Sequence, residues 1–197
     1  MTPPGAGACR RVRPGILVAV AHVIEPASSG RAKCRGCGNA IAKGELRLGE
    51  RLPNPYADEG EMTLWFHLLC GAYKRPEALA DALEATPEGV EERDRLAEIA
   101  ARGVAHRRLP RIDGAQLSPT GRAKCRHCRE PIPAKTWRIR LTFFEEARFE
   151  PSGFVHVGCV EDYFETRDVL DRVKHFSPDL APDELVELEH VLGDPAG

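Results

Sequence analysis

The chain has 197 residues, a formal net charge of −2 and 42 % hydrophobic residues. It contains no apolar run long enough for a membrane-spanning helix, and the short apolar stretch Ile16–Ile24 lacks the cleavage context of a secretory signal. Near-neutral charge excludes attraction to nucleic acid by bulk charge, so any phosphate affinity must come from local clustering.

In chain order, residues 1–15 are rich in Pro and Gly with the basic cluster Arg10-Arg11-Val12-Arg13, the composition of a flexible basic tail. Ile16–Ile24 is β-branched and predicts an opening strand. Leu46-Arg47-Leu48 and Met62–Phe66 predict two more, joined by a Pro53–Gly60 loop. Helices are predicted from Leu68, over Pro76–Leu83, and from a Thr86-Pro87-Glu88 cap to about Arg102, stopped by Gly103. His106, Arg107, Arg108 and Arg111 mark a linker. The second half replays the order. A strand is predicted over Thr136–Phe144, a loop over Glu145–Gly153, and a strand end at Phe154-Val155. Helices follow around Cys159–Phe164, over Arg167–His175 capped by Thr166, and over Pro182–Leu192. Alternation against Phe144 turns Phe143 inward.

The replay is literal at one place. Gly30-Arg31-Ala32-Lys33-Cys34-Arg35-Gly36-Cys37 returns as Gly121-Arg122-Ala123-Lys124-Cys125-Arg126-His127-Cys128. Each copy is followed by a His-x-x-Cys, His67 with Cys70 and His156 with Cys159. Two thiolates from a turn and a His/Cys pair at a helix start fill a tetrahedron and leave no position for substrate or water. The chemistry is that of two structural Zn²⁺ sites, each essential to its own half. Each zinc with three thiolates and a neutral histidine adds −1, taking the chain to about −4. Paired cysteines used this way belong to a reducing, intracellular compartment. His22, His106, His175 and His190 have no counterpart in the other half and read as ordinary histidines; Cys9 is left over in the tail. The resulting fold class is α+β: two small zinc-binding domains, each a short antiparallel sheet with helices around a Cys-Cys-His-Cys site. The divisions are 1–15 (tail), 16–105 (first finger), 106–115 (linker) and 116–193 (second finger).

Bases crowd the cysteines. Arg31, Lys33, Arg35, Lys43, Arg47 and Arg51 face only Glu45 and Glu50, and Arg122, Lys124, Arg126, Arg129, Lys135, Arg138 and Arg140 face only Glu130. Segregated charge of this kind is the footprint of a phosphate-binding surface.

The stretches Ser29–Cys37, Lys43–Leu48 and Trp65-Phe66-His67-x-x-Cys70 resemble the poly(ADP-ribose) polymerase-type zinc finger, found also in a vertebrate DNA ligase and a plant DNA 3′-phosphoesterase. The second copy keeps Thr120–Cys125 and Trp137-Arg138-Ile139 but has Phe154-Val155 where the family favours Trp-Tyr. The resemblance implies recognition of DNA strand breaks (nicks, gaps and ends) by structure and not by sequence. By position it implies phosphate contacts from Arg31, Arg47, Arg122 and Arg138, with Lys33 and Lys124 beside them. It also implies apolar tips that cover an exposed base pair: Tyr56 and Met62 in the first half, Phe144 and Phe149 in the second. The sequence shows no nucleotide-binding Gly-rich loop and no catalytic triad. The expectation is a stand-alone binding module and not an enzyme, with broken DNA and DNA repair enzymes as partners. The high Ala, Arg, Gly and Pro content points to a bacterial cytoplasm or nucleoid. Two rival readings are a LIM-like protein-interaction adaptor, against which the long spacing within each site argues, and a repair enzyme with an unrecognised active site.

Overall fold

In a computed structural model, residues 21–57, 60–86 and 88–193 are described. The basic tail, Cys9 and most of the apolar stretch Ile16–Ile24 lie outside them. Two three-stranded antiparallel sheets, one per half, are ordered β1-β2-β3 and β4-β5-β6. The first contains β1 (Val23–Pro26), β2 (Leu46–Pro53) and β3 (Glu61–His67). The second contains β4 (Ile112–Leu117), β5 (Trp137–Glu145) and β6 (Arg148–His156). Helices α1 (Leu68–Lys74), α2 (Pro76–Ala85) and α3 (Arg93–Ala105) follow the first sheet. A 3₁₀ turn (Val157–Cys159), then α4 (Val160–Phe164), α5 (Leu170–His175) and α6 (Pro182–Gly193), follow the second. No described helix is long and apolar enough to cross a membrane.

Four local expectations change. Helix α3 starts at Arg93 and not at the Thr86-Pro87 cap, because the Arg93 guanidinium donates to the Thr86 and Leu83 carbonyls and ties the end of α2 to the start of α3. Gly103 lies inside α3 and not at its stop. A side chain there would meet Pro76 at 3.0 Å, so its bareness lets α2 and α3 close. Helix α5 starts at Leu170; Thr166 Oγ1 instead accepts the Asp168 N–H in a local turn. The supposed Glu145–Gly153 loop is mostly β6. Glu146 and Ala147, with φ of 47° and 61°, make a two-residue turn whose twist suits a tight hairpin.

The stretch 106–115, read as a linker, holds a 3₁₀ turn (Leu109–Arg111) and the start of β4. Leu109 and Ile112 are buried there. This segment draws the halves into one body with an extensive seam. Lys74 of α1 is fully buried and donates to Ile112 O (2.7 Å), Asp113 Oδ1 (2.9 Å) and Thr142 Oγ1 (3.1 Å), all in the second half. An ammonium has three protons, and each finds an acceptor, which is the condition for burying one. Arg172 of α5 returns the contact, donating to Tyr73 O (2.7 Å) and Ile99 O (3.1 Å). Burial pushes its guanidinium down to about 10. The core of the first half takes in Phe144, Ala147, Phe149 and Phe176 from the second. The expectation that each zinc sustains its own half alone does not fit this seam.

Candidate metal centres and nucleic-acid interface

Each hairpin strand that enters a histidine (β3 and β6) runs beside the strand that follows the Cys-x-x-Cys turn. Arg47 is paired with His67 and Arg138 with His156 across the two ladders. The turn itself is folded by Gly38 N–H to Cys34 O (2.8 Å) in one half and Arg129 N–H to Cys125 O (3.1 Å) in the other. The chain turns into a helix straight after each histidine, which brings the last cysteine round to the same point.

The outcome is two four-residue clusters, Cys34/Cys37/His67/Cys70 and Cys125/Cys128/His156/Cys159. Within each, the ligand atoms lie within 4.8 Å of one another. His67 Nδ1 is 3.4 Å from Cys37 Sγ and 3.8 Å from Cys70 Sγ; His156 Nδ1 is 3.4 Å from Cys128 Sγ and 3.9 Å from Cys159 Sγ. Bonds of about 2.3 Å to sulfur and about 2.0 Å to nitrogen give a tetrahedral S···N edge of about 3.5 Å, so the donors fit Zn²⁺. Both imidazoles are held in the same tautomer. Nε2–H donates to Ala40 O (3.3 Å) in the first site and to Pro131 O (3.1 Å) in the second, leaving Nδ1 for the metal. The chain holds two structural Zn²⁺ ions.

One thiol in each cluster has its pKa lowered below its ordinary value by its surroundings. The Cys34 thiol is pulled down to about 5, chiefly by the hydrogen bond from Cys70, with the Cys37, His67 and Gly36 N–H groups adding to it against burial. Burial works to raise Cys125, but the His156, Cys128 and His127 N–H groups outweigh it and leave that thiol at about 7. The Cys70 thiol moves up as the partner that keeps its proton, and burial pushes Cys159 up to about 12. One histidine outside both ligand sets joins the first site. His175, read as ordinary, sits on α5 with Nε2 3.1 Å from Cys70 Sγ. Only the three-dimensional seam brings it there, and no spacing in the sequence marks it.

The basic residues divide into two groups. Arg31, Lys33, Arg122 and Lys124 are exposed, and none forms an ion pair among the described residues. Arg47 and Arg138 are instead buried, 6 % and 5 % exposed, each guanidinium 3.5 Å from the ring centroid of the aromatic two residues before the histidine: Trp65 and Phe154. Phe154 thus does the packing work of Trp65. The two arginines differ in partner: Arg47 donates to Glu25 (2.7 Å), while the strand residue opposite Arg138 is Gln116, which carries no charge. Burial lowers the Arg138 pKa, and its Nε is buried without a hydrogen-bond partner.

The four apolar tips separate as well. Tyr56, in the loop between β2 and β3, is 58 % exposed; its O–H donates to Glu146 O (3.2 Å) on the second hairpin. Met62 is half-buried against the first core. Phe144 and Phe149, expected as the tips of the second half, lie in the seam. Phe149 meets Phe66 edge-on at 6.3 Å, and Phe144 lies under the Arg75 guanidinium at 3.9 Å. Arg75 is itself held by a forked ion pair to Glu50 (2.7 and 2.6 Å). Phe143, expected inward, is 44 % exposed. The alternation holds, but the sheet face of Phe144 and Thr142 is the one the first half covers, and the cover over Phe143 runs out.

Residues 25–104 match the sequence model described as the poly(ADP-ribose) polymerase and DNA-ligase Zn-finger region. Among curated relatives, a protein of Sarcophaga peregrina named poly [ADP-ribose] polymerase is 28 % identical over 139 residues, 62 % of this chain and 14 % of that protein. Poly [ADP-ribose] polymerase 1 of Oryza sativa subsp. japonica is 26 % identical over 177 residues, 78 % of this chain and 17 % of that protein. The chain thus spans about a sixth or less of the length of these relatives.

Proposed function

We propose, from the match of residues 25–104 to the poly(ADP-ribose) polymerase and DNA-ligase Zn-finger region, that the chain binds broken DNA. It acts as a binding module and not as an enzyme, recognising nicks, gaps and ends by their structure and serving DNA repair inside the cell. The observation that carries this reading is Tyr56, an exposed aromatic on the loop that leads into a zinc-bound histidine, in a half whose exposed Arg31 and Lys33 have no acidic partner among the described residues. Phosphate contacts supply affinity that no base sequence modulates. An aromatic tip gains by stacking only where a base pair has lost its neighbour, a surface that intact duplex hides.

Arg31, Lys33, Arg122 and Lys124 grip the backbone from outside. Arg138, stacked on Phe154 with no carboxylate partner among the described residues, offers its charge to a phosphate that approaches the second sheet. Arg47, already paired with Glu25, contributes less. Tyr56 reads the break, with Met62 as its apolar support. Phe144 and Phe149 keep a supporting place: they anchor the hairpin whose Glu146 carbonyl holds the Tyr56 hydroxyl.

The test is a titration with labelled duplexes of equal length and sequence, either intact, nicked, gapped or blunt-ended. Tighter binding to nicked or gapped DNA than to intact duplex is expected, with steep salt dependence. Equal affinity for all forms would refute break recognition, and turnover of any substrate would refute a purely binding role.

A further inference from the structure

An open groove of about 490 Å³ lies on the helix side of the second sheet, apart from the residues just assigned. Its lining carries Arg108, Arg111, Arg126 and Arg129, with Phe143 on one wall. None of the four arginines forms an ion pair among the described residues. One acid, Asp162, lies 3.7 Å from His127 of the lining and is itself largely exposed.

The arginines are positioned. Arg108 donates to Tyr163 O (2.8 Å) and Arg111 to Tyr163 Oη (3.3 Å), so two guanidinium groups are fixed by one residue of α4. Arg126 donates to Ser152 O (2.6 Å), and Ser152 is the extra residue where the β5/β6 register shifts. Gly153 follows with φ +104°, and a side chain there would come within 2.7 Å of Arg126 Nε. The bulge and the bare glycine therefore make the room in which Arg126 lies. A smaller hollow of about 210 Å³ shares Arg111 and Phe143 with the groove; there Arg75 is already paired with Glu50 and Glu77 adds an acid, so the unpaired charge is that of the groove itself. Charge held in a concave surface with few counter-charges focuses the field on a polyanion.

We propose that this groove binds single-stranded DNA: the phosphates lie along the arginines and an unpaired base stacks on Phe143. The exposed ring decides between kinds of DNA. An intact duplex presents phosphates but buries its base faces, whereas an unpaired base can stack on a 44 % exposed phenylalanine set among arginines. The proposal extends the strand-break reading, since gaps and frayed ends supply such a strand, but it uses none of the residues assigned to that reading.

The experiment is fluorescence anisotropy on the full, zinc-loaded chain with a labelled 12-mer of dT, an abasic 12-mer of equal charge, and a nicked duplex without single-stranded tails. The variants are Phe143→Ala and Arg129→Ala, both at exposed positions, with zinc content and thermal unfolding confirming an intact fold. Phe143→Ala is expected to weaken the dT oligomer about tenfold, leaving the abasic oligomer and the nicked duplex unchanged. Arg129→Ala is expected to weaken both oligomers and lower their salt slope by about one contact. No binding of the dT oligomer by the parent protein would overturn the proposal. So would a Phe143→Ala loss that is equal for the dT and abasic oligomers, or absent for both. If nicked duplex shows no preference over intact duplex while the dT oligomer still depends on Phe143, the strand-break reading fails and this one stands.

Discussion

His175, in the second half, donates its Nε2–H to Cys70 Sγ, a ligand of the first zinc, across 3.1 Å. Burial lowers the His175 pKa below its ordinary value, so at neutral pH the ring is neutral. Tyr73 and Phe176 hold the ring from two sides at 5.1 and 4.7 Å. A hydrogen bond to a zinc thiolate orients that ligand and disperses its charge. The second site has no such outside donor among the described hydrogen bonds. His175→Ala is therefore expected to weaken zinc at the first site by about 10- to 100-fold and leave the second unchanged. Competition with a graded chelator, read as two phases of zinc release, checks this; equal weakening of both sites would show a general loss of fold.

The seam predicts the manner of unfolding. With Lys74 seated in the second half and Arg172 in the first, urea should unfold the zinc-loaded chain in one transition. Replacing Lys74 by Met removes donors from Ile112 O and Thr142 Oγ1, and each acceptor left buried costs about 1–3 kcal/mol. The expected result is a lower midpoint that splits in two as the halves uncouple. A parent protein that already unfolds in two steps would show that the seam contributes little. By the same reasoning, Cys34→Ala should disturb both halves and not the first alone.

Tyr56→Ala should cost roughly 1–3 kcal/mol of binding on nicked or gapped DNA and almost nothing on intact duplex, in line with base–aromatic stacking. Phe144→Ala with Phe149→Ala should behave differently. These rings pack against Phe66 and under Arg75, so their loss should lower stability and weaken all DNA alike. Parallel titrations of both variants against broken and intact duplex distinguish the cases. A break-selective loss from the phenylalanine pair would assign them to the DNA face.

Arg138 and Arg47 provide an internal comparison. Both are stacked and buried, but among the described residues only Arg47 has a carboxylate partner. Arg138→Met, which keeps the apolar contact with Phe154, should preserve folding and lower the salt slope of DNA binding by about one contact. Arg47→Met should leave Glu25 without its cation and show its effect mainly in stability. Salt titrations and urea midpoints for the two variants check this, and an unchanged salt slope for Arg138→Met would remove it from the phosphate contacts.

The metal centres were legible in the sequence because their ligands are local: a turn contributes two, a strand-to-helix corner contributes two, and the repeat certifies both. The strands were legible for the same reason, through Leu46-Arg47-Leu48 and Trp137-Arg138-Ile139. The places that misled are those where a distant part of the chain decides. Phe144 and Phe149 look like exposed tips in a sequence that cannot show the first half lying over them. Thr86-Pro87-Glu88 has every mark of a helix start, yet Arg93 reaches back to the end of α2 and sets the start later. His175 has no motif at all; it matters through the sulfur it meets 105 positions away.

The fate of the second hairpin has a consequence for the ancestry of the chain. Two copies of one unit began with the same parts, but Phe144 and Phe149 have made the hairpin of one copy a plug for its neighbour. In the first copy the loop residue Tyr56 meets the second, among its described hydrogen bonds, only at the Glu146 carbonyl of that hairpin. The copies are therefore no longer interchangeable, and their order along the chain has become a fixed property. Exchanging them by recombination would place an unplugged face beside a plug with nowhere to go. Drift that makes the two halves more alike is accordingly opposed, which fits a pair that differs at one residue, Gly36 against His127, across its zinc-binding turns and diverges at its hairpins.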